Sequence, residues 1–265
     1  MIKKIFADTF RYEEEQLSLN PPSQKFDYKI LIILIWTALG LSIIRYWGDP
    51  VFFAGVIENC GMKNSADELC CWAKTENNSL HHLEWWVGIM ILIYFVIPSL
   101  IVKFLFHEKL SDYGFKWEGA FKNWQLYVVM LAVMIPLVLF FSSTKSFQAR
   151  YPFYSPGEGE KLFPDFWVWE ILYFFQFIAL EFFFRGFITL GLRKRFGYYS
   201  VFIMLVPYCM IHFGKPMPET IGAIFAGLIL GTLSMKSRSI FLGILIHYSI
   251  ALSMDMCALW RKGFF

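Results

Sequence analysis

The chain has 265 residues, 57% of them hydrophobic and 20% aromatic, with 24 Lys and Arg against 21 Asp and Glu. Its apolar residues come in blocks as long as a bilayer is thick, which excludes a soluble α/β domain and predicts an all-α, polytopic transmembrane helical bundle. The net charge of +3 is modest and no dense basic stripe is interleaved with aromatics, so lipid and not nucleic acid is the expected partner.

Residues 1–27 read as a polar N-terminal arm facing solvent, with Glu13, Glu14 and Glu15 after Arg11 and a break at Pro21–Pro22. They lack the apolar core of a cleavable signal peptide, so the first span is expected to serve as the targeting signal. Residues 28–106 hold two spans, Tyr28–Trp47 and Glu84–Phe106, around a polar loop carrying Cys60, Cys70, Cys71, His81 and His82. A disulfide from Cys60 to Cys70 or Cys71 fits if the loop faces an oxidising space, and without a CxxC pair a zinc site there is not expected. Pro98 is expected to kink the second span.

Residues 107–260 form the remaining unit. It starts with an interfacial amphipathic stretch over 107–123, followed by the span Trp124–Phe141. A loop over 142–165, with Pro152, Pro156, Gly157 and Gly159, either lids a site or merely connects. The spans Trp167–Leu190, Tyr198–Phe213, Thr220–Met235 and Ser239–Trp260 complete a count of about seven, or eight with a re-entrant segment. Ala223, Gly227 and Gly231, four apart, make a small-residue ridge for close helix packing. The excess of Lys and Arg near alternate span ends puts the N-terminus in the cytoplasm.

The segment Trp167–Leu190, WVWEILYFFQFIALEFFFRGFITL, carries Glu181 and Arg185 within its second half, and two later spans carry His212 and His247. An ionised side chain at the bilayer centre costs about 2.5–3.5 kcal/mol on insertion scales. Spacing of four puts Glu181 and Arg185 on one helix face, and helical rise puts Glu181, His212 and His247 at similar depth. A buried ion pair and two packing histidines would account for each residue singly; the set together points to a reaction centre. A desolvated carboxylate can take a proton from water, and imidazoles can orient that water or donate to an oxyanion. Arg185 is expected to lock the local fold or hold a substrate carboxylate, without neutralising the base. Such hydrolysis needs no cofactor. A zinc ion is the other option, because two histidines and a glutamate match a zinc hydrolase shell in type, although HExxH is missing.

Three segments, EFFFRG at Glu181–Gly186, YCMIHFGKP at Tyr208–Pro216 and HYSIALSMD at His247–Asp255, resemble the motifs of the CAAX protease and bacteriocin-processing (Abi) family, intramembrane endopeptidases related to the type II CAAX prenyl endopeptidase. The resemblance implies a membrane-associated polypeptide substrate, Glu181 as base, His212 and His247 for water and oxyanion, and Arg185 for architecture. Loop lengths resemble bacterial members, implying a bacterial inner membrane. The family's first motif begins with two glutamates, and Leu180 occupies the first of these positions. Either Glu181 takes the water-activating role, or another carboxylate substitutes, with Glu219 the candidate, or the chain is a non-catalytic scaffold or immunity factor. A transporter or proton relay is a further class. The third motif usually has Asn or Asp four residues after its histidine; Ala251 stands there and Asp255 follows a turn later. Eight residues span about 12 Å of helix, so Asp255 and His247 cannot touch one small ligand together, and Asp255 is expected to serve another helix or a supporting bond. Glu170, on the Glu181 face, reads as lining an access path or as an interfacial charge.

Overall fold

The computed structural model describes residues 2–22, 25–73, 79–155 and 161–264, and all regular structure among them is helical. In chain order the helices are α1 (Ile2–Leu19), α2 (Tyr28–Trp47), α3 (Pro50–Asn59), α4 (Lys63–Ala73), α5 (Leu80–Leu105), α6 (Trp124–Phe141), α7 (Lys145–Gln148), α8 (Asp165–Phe196), α9 (Tyr199–Met210), α10 (Met217–Ser237) and α11 (Phe241–Arg261). Six of them, α2, α5, α6, α8, α10 and α11, are long and apolar enough to cross a bilayer, and α9 is a shorter apolar helix, in agreement with about seven spans. The chain is an integral membrane protein.

The polar loop expected after the first span is instead two helices. Asp49 caps α3, its side chain accepting from the Val51 amide, and Pro50 fills the first helical position, where a missing N–H costs nothing. All five cysteines are free thiols. The second span starts earlier than expected, at a Ser79 cap that accepts from the His82 amide. His81 thus lies in its first turn, pairs with Glu84 at 2.8 Å and stacks on Trp72. Around Pro98 the chain winds into two π-helical stretches, Leu92–Val96 and Ile101–Leu105. A proline that lacks its N–H and crowds the carbonyl four residues back is relieved by such wider turns. Of the loop over 142–165, Pro156, Gly157 and Gly159 lie outside the described residues.

The chain divides into two compact units, one of Met1–Leu39, Ile97–Val129 and Glu181–Ile246, the other of Gly40–Val96, Met130–Leu180 and His247–Phe265. In the first unit the small-residue ridge works as read. A Cβ at Gly227 would come within 2.6 Å of Leu205 and 3.0 Å of Tyr208, and one at Gly231 within 2.8 Å of Val201, so side chains of α9 pack directly against the α10 backbone. The 107–123 stretch is a 3-10 turn followed by further tight turns: Tyr113 is buried, while Trp117 and Phe121 stay exposed. Gly114, at φ +81°, closes its 3-10 turn against Leu190 and Ile240, where a side chain would meet both at 2.9–3.0 Å.

The N-terminal arm is helix α1 and is not simply solvated. Its buried positions, Ile5, Thr9 and Glu13, recur every fourth residue, and Glu13 is only 2% exposed. Both Glu13 oxygens are held: Arg193 Nε donates to one at 2.7 Å and an Arg238 guanidinium nitrogen to the other at 2.6 Å. Glu13→Ala is expected to cost about 1.5–3 kcal/mol, the worth of bonds to charged groups, toward the low end because each arginine is a quarter exposed. Amide exchange should rise across residues 2–19 in this variant; unchanged protection there would show that the clamp does not hold α1.

Glu108 makes a second clamp in the same unit, accepting from Lys29 Nζ and the Tyr113 hydroxyl with Lys194 at 3.7 Å. Burial alone would raise its carboxyl, but the two hydrogen bonds and the Lys29 and Lys194 charges outweigh this and hold it below the ordinary carboxylate value. A lowered carboxylate contributes stability above its unfolded pKa and loses it as pH falls through the folded one. Acidification below the usual carboxylate range should therefore lower the unfolding temperature of the wild type more than that of Glu108→Gln; parallel acid profiles would remove Glu108 from the account.

The second unit is built on aromatics. Trp169, Tyr173 and Phe177, one turn apart on α8, form a ladder, with Phe153 stacked on Trp169 at 5.6 Å. Asp255 is wholly buried and accepts from the Trp169 indole at 3.0 Å and from the Phe153 amide at 2.9 Å, tying residues after α7 to α11.

Candidate active site

Glu181 ends the α-helical part of α8, and the nine residues Phe182–Leu190 continue it as a π-helix, every one of them buried. The Thr189 hydroxyl donates to the Phe184 carbonyl five residues back, at 2.9 Å, which satisfies an acceptor in the wider winding. Such segments are frequent at functional sites.

Arg185 and Glu181 are each 0% exposed and in direct contact, Arg185 Nη1 to Glu181 Oε1 at 3.0 Å. The arginine expected to lock the local fold or hold a substrate carboxylate thus lies directly against Glu181. The other carboxylate oxygen, Oε2, faces α11 at Gly243, where an added Cβ would stand 2.9 Å from it. Only a residue without a side chain lets that helix backbone come so near the carboxylate.

The Arg185 guanidinium carbon lies 4.1 Å from the centre of the Tyr208 ring, and the same ring meets the His212 imidazole at 5.0 Å. His212 is 7% exposed, just past the end of α9. Its Nδ1 lies 2.9 Å from the Tyr208 carbonyl, and its own carbonyl receives the Thr220 hydroxyl at 2.8 Å. The break Gly214–Pro218 therefore returns α10 onto the histidine. Glu219 is in its first turn with its carboxylate on Lys215 at 2.7 Å, so the candidate substitute base is engaged by a lysine.

The first unit thus brings together Glu181, Arg185 and His212, with Glu219 paired beside the last. His247 and Asp255 belong to the second unit, where the His247 ring packs on Phe177 at 4.6 Å and Asp255 makes the bonds described above. Glu170 also lies there and is 1% exposed. Among the described residues no three His, Cys, Asp or Glu side chains are grouped closely enough to hold a metal ion. Sequence reasoning missed Tyr208, Thr220 and Gly243. Tyr208 stands four residues before His212, one helical turn, and that spacing was the available signal; nothing local marked Gly243.

Residues 162–253 match the family model described as type II CAAX prenyl endopeptidase Rce1-like. This segment is Rce1-like. It contains Glu181, Arg185, His212, Glu219 and His247, and Asp255 falls just beyond it. No curated protein and no solved structure matches the chain. An Rce1-like segment implies the fold of a CAAX-type intramembrane endopeptidase, and the π-helix with its ion pair lies within that segment.

Proposed function

We propose that the protein is an intramembrane endopeptidase that hydrolyses a peptide bond of a membrane-associated polypeptide. The observation that carries this reading is a wholly buried carboxylate, Glu181, placed within the Rce1-like segment and linked through Arg185 and Tyr208 to His212. In the proposed reaction Glu181 takes a proton from water as the water oxygen attacks the scissile carbonyl carbon. His212 orients that water. Collapse of the tetrahedral species breaks the C–N bond, and the proton held by Glu181 passes to the leaving amine. His247 enters through its motif, as the family's third-motif histidine. No metal or organic cofactor is part of the scheme, the substrate and the bilayer are the partners, and the cytoplasmic N-terminus and bacterial inner membrane belong to the same proposal.

A second reading, a non-catalytic scaffold that binds a polypeptide, is favoured by the direct Arg185–Glu181 contact together with Leu180 at the first-glutamate position. The two separate in one experiment: membrane-protein N- and C-termini are compared in host cells carrying wild type, Glu181→Gln or His212→Ala at matched expression. Termini present with wild type and absent in both variants support proteolysis. Identical termini in all three, with partner capture intact, support the scaffold.

A further inference from the structure

We infer that Gly243 is a positioning residue for the proposed base: Arg185 on one side and the bare backbone of α11 on the other hold the Glu181 carboxylate in place, and any side chain at position 243 displaces it. The inference rests on the proteolytic reading above. Other close-packed glycines of this unit make room for backbone or for several neighbours. A Cβ at Gly186 would meet the Tyr113 carbonyl at 2.6 Å, and one at Gly191 would meet both Ile33 and Tyr113. Gly243 differs from these. Outside its own helix backbone and its chain neighbours, the atoms among the described residues that a Cβ there would meet within 4 Å are Glu181 Oε2, at 2.9 Å, and Glu181 Cδ, at 3.5 Å. The missing side chain thus makes room for one carboxylate and for no packing ridge.

Gly243 is the third residue of α11. The first turn of a helix carries amides without an intrahelical partner and the positive end of the helix dipole, surroundings that suit a carboxylate. This turn is pinned by the 107–123 stretch. The Ile240 amide donates to the Gly114 carbonyl at 3.0 Å, the Ser239 hydroxyl to the Lys116 carbonyl at 2.7 Å, and the Phe241 ring lies flat on Trp117 at 4.0 Å. The same stretch touches the π-helix, where Phe115 meets Phe182 edge-on at 6.0 Å, next to Glu181. It therefore sets the gap between the π-helix and the first turn of α11, and the Glu181 carboxylate fills that gap with Oε1 on Arg185 Nη1 at 3.0 Å. Non-bonded heavy atoms rest about 3.5 Å apart, so Gly243→Ala drives the carboxylate away by about 0.5 Å or more. A misplacement of about 1 Å can cost on the order of 100-fold in rate.

The test uses the full chain in lipid nanodiscs with 13C-carboxyl glutamate, the Glu181 signal being assigned by Glu181→Gln. Gly243→Ala is expected to shift that signal and to reduce the wild-type-dependent termini about tenfold or more. Gly222→Ala, on α10 where a Cβ meets nothing within 4 Å, should leave both as in wild type. Glu181→Asp draws the carboxylate back by one methylene and so supplies the rescue. Gly243→Ala should lower the unfolding temperature in the wild-type background and leave it unchanged in the Glu181→Asp background, a coupling that a general packing role would not produce. If Gly243→Ala alone does not fold, folding regained in Glu181→Asp/Gly243→Ala supports the inference, and a double variant that also fails overturns it. A Glu181 signal unmoved by Gly243→Ala, or an equal loss of unfolding temperature in both backgrounds, overturns it as well. Absence of wild-type-dependent termini defeats the proteolytic reading instead, and the carboxyl signal and unfolding temperatures still decide whether Gly243 positions Glu181.

Discussion

Cells carrying Glu181→Gln are expected to lose the wild-type-dependent termini, with cleavage down by about 100-fold or more, the range a positioned general base supplies. The substitution preserves the shape of the side chain and the oxygen that Arg185 can bond, and removes the ability to hold a proton. Glu219→Gln is the informative companion. Its carboxylate already engages Lys215 at 2.7 Å, and if Glu181 is the base, cleavage should change no more than a few-fold, about what loss of a partly buried ion pair away from the reacting atoms explains. The reverse pattern, with Glu219→Gln inactive and Glu181→Gln active, would reassign the base and leave Glu181 as an architectural partner of Arg185.

Arg185→Leu should produce the largest loss of stability. Removing one member of a buried pair strands the other, at a cost of about 3–5 kcal/mol, and Glu181 here is 0% exposed. For a chain of this size that corresponds to a fall of about 6–20 °C in the unfolding temperature measured in detergent. Because a pair can often be replaced by packed apolar groups at little cost, Glu181→Leu/Arg185→Leu should recover much of the loss while remaining inactive. A double variant no more stable than Arg185→Leu would mean that the cost lies elsewhere, in the Tyr208 ring contact for instance.

The order of the spans could be read from the chain because twenty consecutive apolar residues leave little choice in a bilayer. The pair Glu181–Arg185 was legible for the same reason, being two ionisable groups four apart in the second half of a long apolar block. What escaped the reading depends on residues far apart in sequence. Glu13 looked like one of three solvated glutamates, and its burial follows from Arg193 and Arg238, 180 and 225 positions away. Asp255 offered no local sign of its bonds to Trp169 and Phe153, and Gly243 became notable only when α11 was seen beside Glu181. The π-helix Phe182–Leu190 was invisible to a pattern search built on 3.6 residues per turn. The helices α3 and α4 carry no span signal, α3 because it is apolar but only 10 residues long and α4 because it is polar over its 11 residues.

The clamp on Glu13 also has a bearing on the order of assembly. A chain emerges from the ribosome N-terminus first, at about 5–20 residues per second, so α1 is finished long before either of its arginines exists. Arg193 arrives after α8 has been made and Arg238 only once α10 is complete. Through most of synthesis Glu13 has neither native counterion, and the ends of the loop it must close are among the most distant in the chain. A helix synthesised well before its two arginines is thereby among the last to be seated, and its docking reports that both arginines are in place.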